Sequence, residues 1–327
     1  MVRRRQFIAQ AAVAAAALPW QAARAQDYPS RSIRWVVPFP AGGAVDTIAR
    51  RTAELLTHKL RQPIVVDNRP GAGGAIGTAE LARARPDGYT LGFATTDTLV
   101  SAMLLIKEPG YDARTDLALI GKLCHSQQLL IVPAKSGIQD LRGLISVAKS
   151  RPGRLTFATW GVGTVPHLYL KSLESAAGIE LVDVPYKGLM PAMQDLIGGQ
   201  IDLALVPPSL AMAFHQKGQV NVLSVSGGGR LPQFPKVATV QEQGLQAPLF
   251  DYTYWAGLVG PKGLSADLRS FWMRQLLEVQ AQPEFISSLV PLGMDPSRRA
   301  GADFEADVAK EFEVFAALTR SLGISAN

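Results

Sequence analysis

Short β-rich runs alternate with helical patterns along almost the whole chain, and this alternation restricts the architecture more than any other feature. Ile33 to Val37 is followed by a helical pattern from Ile48 to Leu60, Ile64 to Val66 by Ile76 to Ala84, and Thr90 to Ala94 by Leu99 to Ile106. A strand followed each time by a helix is the rhythm of a parallel α/β sheet. It resumes with Leu129 to Val132, Leu141 to Ser150, Leu155 to Ala158, His167 to Ala177, Leu181 to Val184, Leu189 to Ile197 and Ile201 to Val206, which predicts a second sheet. After Val220 to Val225 the stretch Gly227-Gly228-Gly229-Arg230-Leu231-Pro232 reads as a linker. Tyr252 to Val259 and amphipathic helices ending near Leu322 complete the chain, with no tandem repeat of solenoid period.

The first residues have a different character. Met1-Val2-Arg3-Arg4-Arg5 is a charged start, an alanine-rich apolar run reaches Trp20, and Ala23-Arg24-Ala25 supplies small residues at a cleavage position. The apolar run is about 13 residues against the roughly 20 that span a bilayer, so residues 1–25 read as a cleaved signal peptide rather than an anchor. Arg4-Arg5 before Gln6-Phe7-Ile8 also fits twin-arginine export. Either route predicts a periplasmic chain beginning at Gln26. Export would remove four arginines, lowering Lys+Arg from 33 to 29 against 27 acidic residues, and a net charge of about +2 with no basic stripe argues against nucleic acid. Cys124 is the single cysteine, so stability has to come from the core, not from an intramolecular disulfide.

Two strand–turn–helix junctions carry the chemistry. In Val36-Val37-Pro38-Phe39-Pro40-Ala41-Gly42-Gly43-Ala44-Val45-Asp46 a strand ends, a Pro/Gly turn follows and a helix begins. Such a turn presents unpaired helix N–H groups to an anion, glycine lets ligand oxygens approach the backbone, and Asp46 caps or complements the helix start. The plain alternative is an ordinary tight βα turn with a capping Asp. Phe157-Ala158-Thr159-Trp160-Gly161-Val162-Gly163-Thr164-Val165-Pro166-His167 is a second junction of the same kind, with proline in the first helical turn. If the two turns face one another, two helix N-termini converge on one cleft and hold a carboxylate without arginine or lysine.

Several motifs occur together and in register: Tyr28-Pro29-Ser30, Val37 to Asp46, Asp67-Asn68-Arg69-Pro70-Gly71-Ala72-Gly73-Gly74, Pro86-Asp87-Gly88-Tyr89-Thr90-Leu91, Val184-Pro185-Tyr186-Lys187-Gly188, Leu196 to Asp202 and Gly257 to Pro261. In this the chain resembles the Bug (Bordetella uptake gene) substrate-binding proteins of tripartite tricarboxylate transporters. The resemblance implies a type II periplasmic-binding-protein fold, with two α/β lobes joined by two crossovers and closing over ligand like a hinged trap. Lobe 1 is then 26–124 plus 227–327 and lobe 2 is 125–226. It further implies a monomeric, non-enzymatic carrier without cofactor or metal, capturing a dicarboxylate, tricarboxylate, aromatic acid or amino acid for the membrane subunits of such a transporter, or serving as a solitary sensor or scavenger. The loops matching Phe39, Pro40, Ala41, Gly42, Gly43 and Asp46, and Trp160, Gly161, Gly163 and Thr164, would hold the ligand carboxylate through backbone N–H groups and ordered water.

Departures from the family pattern mark the rest of the pocket. Thr95-Thr96-Asp97 replaces a Gly/Ser-rich turn and puts a carboxylate near the cleft, where Asp97 either pairs with an amino group or protonated ring nitrogen or caps the next helix. Trp160 replaces a small polar residue and either stacks on an aromatic acid or packs a lobe. Pro207-Pro208-Ser209 stands where an Asp-Asn pair is common in relatives. His167 is placed to hydrogen-bond within the cleft wall or ligand shell rather than to act as a base. An oxidoreductase reading of Gly71 to Gly77 is weaker, because the spacing is G-x-G-x-x-x-G rather than G-x-G-x-x-G. No G-x-S-x-G elbow is present, and His58, His125, His167 and His215 lack metal-ligand spacing.

Overall fold

The computed structural model describes residues 28–161 and 164–324. The signal-peptide reading of residues 1–25, the Gln26 start and Gly163 lie outside the described residues. Along the chain run β1 (Ile33–Val37), α1 (Ala44–Leu60), β2 (Ile64–Asn68), α2 (Ala75–Ala82) and β3 (Thr90–Ala94). A π-helical turn, Asp97–Ser101, leads into α3 (Ala102–Leu105), followed by β4 (Leu117–Ser126) and β5 (Leu129–Pro133). Next come α4 (Leu141–Ser150), β6 (Thr156–Thr159), α5 (Val165–Ala177), β7 (Val182–Pro185), α6 (Leu189–Gly198), β8 (Leu203–Val206), α7 (Pro208–His215) and β9 (Val220–Val225). The return comprises β10 (Tyr254–Pro261), α8 (Ala266–Gln280), α9 (Pro283–Leu289), β11 (Asp295–Pro296) and α10 (Ala302–Ser321).

These strands form two sheets. The first has the order β11-β4-β10-β3-β1-β2, with β1 parallel to β2 and β3, and β10 antiparallel to both β3 and β4. The second has the order β7-β6-β8-β5-β9, with β6 parallel to β7 and β8 and β5 antiparallel to β8 and β9. In each sheet the parallel strands are those joined by helices, since a parallel neighbour needs a crossover long enough to return the chain to the same end.

Residue alternation decides what each sheet face buries. Ile33, Trp35 and Val37, two apart, point with Leu91 and Phe93 into one core beneath α1, α8 and α9. There Trp35 meets Phe93 edge-on at 5.5 Å and Trp272 at 5.9 Å, pairings that add about 1 kcal/mol each beyond the area they bury. A second cluster runs from Ala94, Trp255 and Val259 through Phe304, Phe315 and Phe250 to Leu130 and Phe157, so apolar packing is continuous between the sheets. A third, containing Leu129, Ile131, Met193 and Val206, backs the second sheet.

The chain crosses outward through Gln127-Gln128 and stays with the second sheet past the glycine stretch, because Leu231 and Phe234 are buried against it. The Gln243 amide reinforces this, donating to Leu223 O at 2.9 Å while its carbonyl accepts from Leu141 N. The return is made at Phe250 to Tyr252. Ser226 ties both crossings together: its hydroxyl accepts from Gln128 N at 2.8 Å and donates to Tyr252 O at 3.1 Å.

Candidate functional site

The C-terminal ends of β1, β3 and β6 carry the turns of interest, which is where open parallel sheets bind ligands. The first turn, Pro38 to Gly43, leads into α1 with Gly43 at the N-cap and no side chain capping that end. Gly42 sits at φ +80°, a left-handed conformation costly for a residue with a Cβ. Its N–H donates to Asp46 Oδ2 at 2.8 Å, and Arg50 Nε reaches the same oxygen at 3.0 Å. Asn68 donates to Asp46 Oδ1 at 2.9 Å and to Phe39 O at 3.1 Å, and its own carbonyl accepts from Arg50 at 2.9 Å. Burial alone would raise the Asp46 pKa, but the bonds from Arg50, Gly42 and Asn68 hold it below the ordinary carboxylate value. Asp46, 2% exposed, therefore locks the turn from beneath, leaving the N–H groups of Ala44 and Val45 at the head of α1 without a partner among the described residues.

The second turn enters α5 through Trp160 and Gly161, the latter at φ +107°. Thr159 Oγ1 accepts from Gly161 N at 3.2 Å and donates to Asp183, while Thr164 Oγ1 donates to Gly161 O at 2.8 Å. Val165 N, the first helical N–H, donates to Asp97 Oδ1 at 3.0 Å. Asp97 thus caps a helix, but one on the second sheet, 68 residues away and across the interlobe space. Desolvation pushes its pKa up to about 6, opposed by that one backbone bond.

Between the sheets lies a cavity of about 310 Å³ lined by residues from three segments: Ala72 and Gly73; Asp97, Ser101, Ala102, Leu105 and Ile106; and Trp160, Gly161 and Thr164. Of the residues expected at the site, Asp97, Trp160, Gly161 and Thr164 meet on this wall. Trp160 both faces the cavity and packs against the third core cluster. Phe39, Pro40, Ala41, Gly42, Gly43 and Asp46 are not on its lining; Phe39 lies nearby, where a Cβ on Gly74 would sit 3.4 Å from its ring.

Thr95 and Thr96 are fully buried behind the wall. Thr96 Oγ1 accepts from Tyr252 OH and donates to Glu311 at 2.8 Å, and Glu311 also accepts from Trp255 Nε1 at 2.7 Å. Burial pushes Glu311 up to about 7 against the Thr96 bond and the Lys122 and Trp255 contributions. His167 points elsewhere, into an open cavity of about 530 Å³ shared with Lys171, Glu174 and the α10 end from Ser321 to Ile324. Pro207 is the N-cap of α7, also off the interlobe cavity. The residues not foreseen are Ala72, Gly73, Ser101, Ala102, Leu105 and Ile106. A signal for some was available, because Asp97, Ser101 and Leu105 recur every fourth residue, which sets side chains on one helix face.

Comparison with known proteins accords with this geometry. The family model described as tripartite tricarboxylate transporter family receptor (TctC) matches residues 48–323. Protein BugT of Bordetella pertussis is 30% identical over 318 residues, 97% of this chain and 95% of its own. A solved structure of the periplasmic binding protein BugD superposes with a TM-score of 0.83 at 31% identity, covering 92% of this chain and 100% of that one. Rpa4515 of R. palustris, solved with adipate, gives 0.85 at 26% identity over 92% and 100%. MatC from Rhodopseudomonas palustris, with bound malate, gives 0.81 at 28% identity over 89% and 99%. The two mixed sheets are those of a type II periplasmic binding protein, and the oxidoreductase reading of Gly71 to Gly77 gives way, with Ala72 and Gly73 forming cavity wall instead. With two sheets, two crossings and a cavity between them, this chain belongs to the Bug/TctC family of solute receptors, which are binding proteins and not enzymes.

Proposed function

We propose that the chain captures a small carboxylate between two lobes and hands it to the membrane subunits of a tripartite tricarboxylate transporter. The observation that carries this reading is the cavity between the sheets, walled by the glycine turn before α5, whose first helical N–H already draws a carboxylate, together with a second glycine-turn helix start on α1 whose Ala44 and Val45 N–H groups have no partner among the described residues. A helix N-terminus supplies aligned donors and positive potential without a basic side chain. The adipate and malate held by two of the solved relatives support the ligand class.

In the mechanism we infer, the open cleft is hydrated and a ligand carboxylate docks first on the Phe39 to Gly43 turn and the α1 start. Closure brings the Trp160 to Thr164 turn, with Gly163, over the ligand. Ligand shifts the population toward the closed form by contacts made only there, which is how a partner distinguishes loaded from empty receptor. The moving bodies are the first-sheet lobe, up to Ser126 and again from Tyr252, and the second-sheet lobe between them, which keeps residues 227–251 rather than giving them to the first lobe as the resemblance implied, with the hinge where Ser226 joins the crossings. The receptor works as a monomer in the periplasm after cleavage behind Ala25.

A thermal-shift screen of residues 26–327 against aliphatic dicarboxylates, tricarboxylates, aromatic acids and amino acids tests the reading. A ligand at 100 times its Kd stabilises the folded chain by about 2.7 kcal/mol. A rise in Tm with one or more carboxylates supports the function; no rise with any carboxylate overturns it.

A further inference from the structure

The cavity wall contains a charge with no counter-ion. Among the described residues Asp97 is its only ionisable one: no described Lys, Arg or His lines the cavity, and the remaining surface is largely apolar, from Ala72, Ala102, Leu105, Ile106 and Trp160. Asp97 Oδ1 is bound to Val165 N, whereas no donor among the described residues reaches Oδ2. Four residues on, Ser101 lines the same cavity; it is 2% exposed and its hydroxyl has no hydrogen-bond partner among the described residues. A buried hydroxyl without a partner is uncommon in a folded protein, so it is a site a ligand group can complete. The protein's own carboxylate, meanwhile, already occupies the donor at the start of α5 that a second ligand carboxylate would seek.

We propose that Asp97 is the specificity-determining residue of this cavity and selects a carboxylate whose other end carries a cationic nitrogen, excluding dicarboxylates of matching length. The proposal rests on the carboxylate-binding reading above and names the chemistry of the ligand's second end. An ammonium group placed between Asp97 Oδ2 and Ser101 Oγ finds one charged and one neutral acceptor, and Leu105, Ile106 and Trp160 cover its methylene chain. A carboxylate in the same place meets a like charge, and rejection by like-charge contact is a familiar source of specificity. At neutral pH the ionised form of Asp97 predominates despite its burial.

Calorimetry with three matched pairs, each equal in methylene count, tests this: β-alanine with succinate, 4-aminobutanoate with glutarate, and 5-aminopentanoate with adipate. The wild-type chain is expected to bind at least one amino acid at least about tenfold more tightly than its paired dicarboxylate. Asp97→Ser, which frees Val165 N–H and removes the like charge, is expected to reverse that order, and Asp97→Asn to abolish the amino-acid preference. Unfolding curves establish that both variants are folded. Equal or tighter dicarboxylate binding by the wild type, or an order unmoved by both substitutions, overturns the proposal while the carboxylate function stands. Failure of all six compounds, when another carboxylate raises Tm in the broader screen, also overturns it; failure of every carboxylate overturns both readings.

Discussion

The two glycine turns are built alike in sequence and held in opposite ways. The Phe39 to Gly43 turn is fastened by Asp46 from its own helix, with Asn68 and Arg50 completing a closed local set. The turn before α5 takes its carboxylate from Asp97 on the other lobe. A cap supplied from within one element keeps its geometry whatever the lobes do. A cap supplied across the cleft exists only while the lobes are together, so the same bond that finishes a helix also reports closure. In the proposed cycle the first turn is the fixed dock, and the second is a contact that opening breaks.

Breaking the fixed dock should have the largest effect. Asp46→Ala removes the acceptor of Gly42 N–H, Arg50 and Asn68, and we expect a loss of about 2–3 kcal/mol in urea unfolding together with weaker carboxylate binding. Next is the buried acceptor behind Thr96, beside Asp97: Glu311→Ala strips Trp255 Nε1 and Thr96 Oγ1 of a shared partner and should cost about 2 kcal/mol in the same measurement. Gly42→Leu forces a side chain into φ +80° where space is open, so the penalty is backbone strain of about 1–2 kcal/mol, visible as a lower urea midpoint.

The smallest effect sharpens the comparison through pH. The folded-state pKa of Asp46 is depressed, so its contribution is present above the unfolded value and lost as pH falls through the folded one. Asp97 has the opposite sign. Its folded value, about 6, lies above the unfolded one near 3.9, so stability is greatest with the proton on and declines as pH rises from about 4 to 6. Glu311 declines in the same sense toward about 7, and Tyr252 and Tyr254 face this region as neutral phenols. Thermal unfolding of wild type and Asp97→Asn between pH 4 and 7 should give curves whose separation changes across that window; parallel curves would remove Asp97 from the account.

Much of the architecture was legible because it is local. The ends of β1 and β6 and the starts of α1 and α5 follow from runs of apolar residues broken by proline and glycine, and the alternation of short strands with helices announces a sheet with parallel neighbours. What could not be read is the set of contacts between distant segments. Asp97 offers itself in sequence as a cap for the helix that follows it, yet its partner is Val165; Thr96 looks like part of a binding turn, yet its hydroxyl is committed to Glu311, 215 residues on. His167 sits in the first turn of a helix that starts beside the cleft, but helical rotation carries its side chain to another surface beside Ser321 to Ile324. The linker-like glycines at 227–229 mislead about the return crossing for a related reason: Leu231 and Phe234, which hold the chain to the second sheet, have partners that only tertiary packing supplies.

The position of β10 has a consequence in time. It lies between β3 and β4, so until residue 261 has been made those two strands have nothing between them, and the first sheet exists only as its β1, β2 and β3 portion. The second sheet draws all its strands from residues 129–225 and has every one of them earlier. The lobe begun first is therefore completed last. During synthesis the half-built sheet presents the bare edge of β3, with Phe93 and Leu91 awaiting cover from the return segment, and that edge is where an unfinished chain is most exposed to wrong pairing.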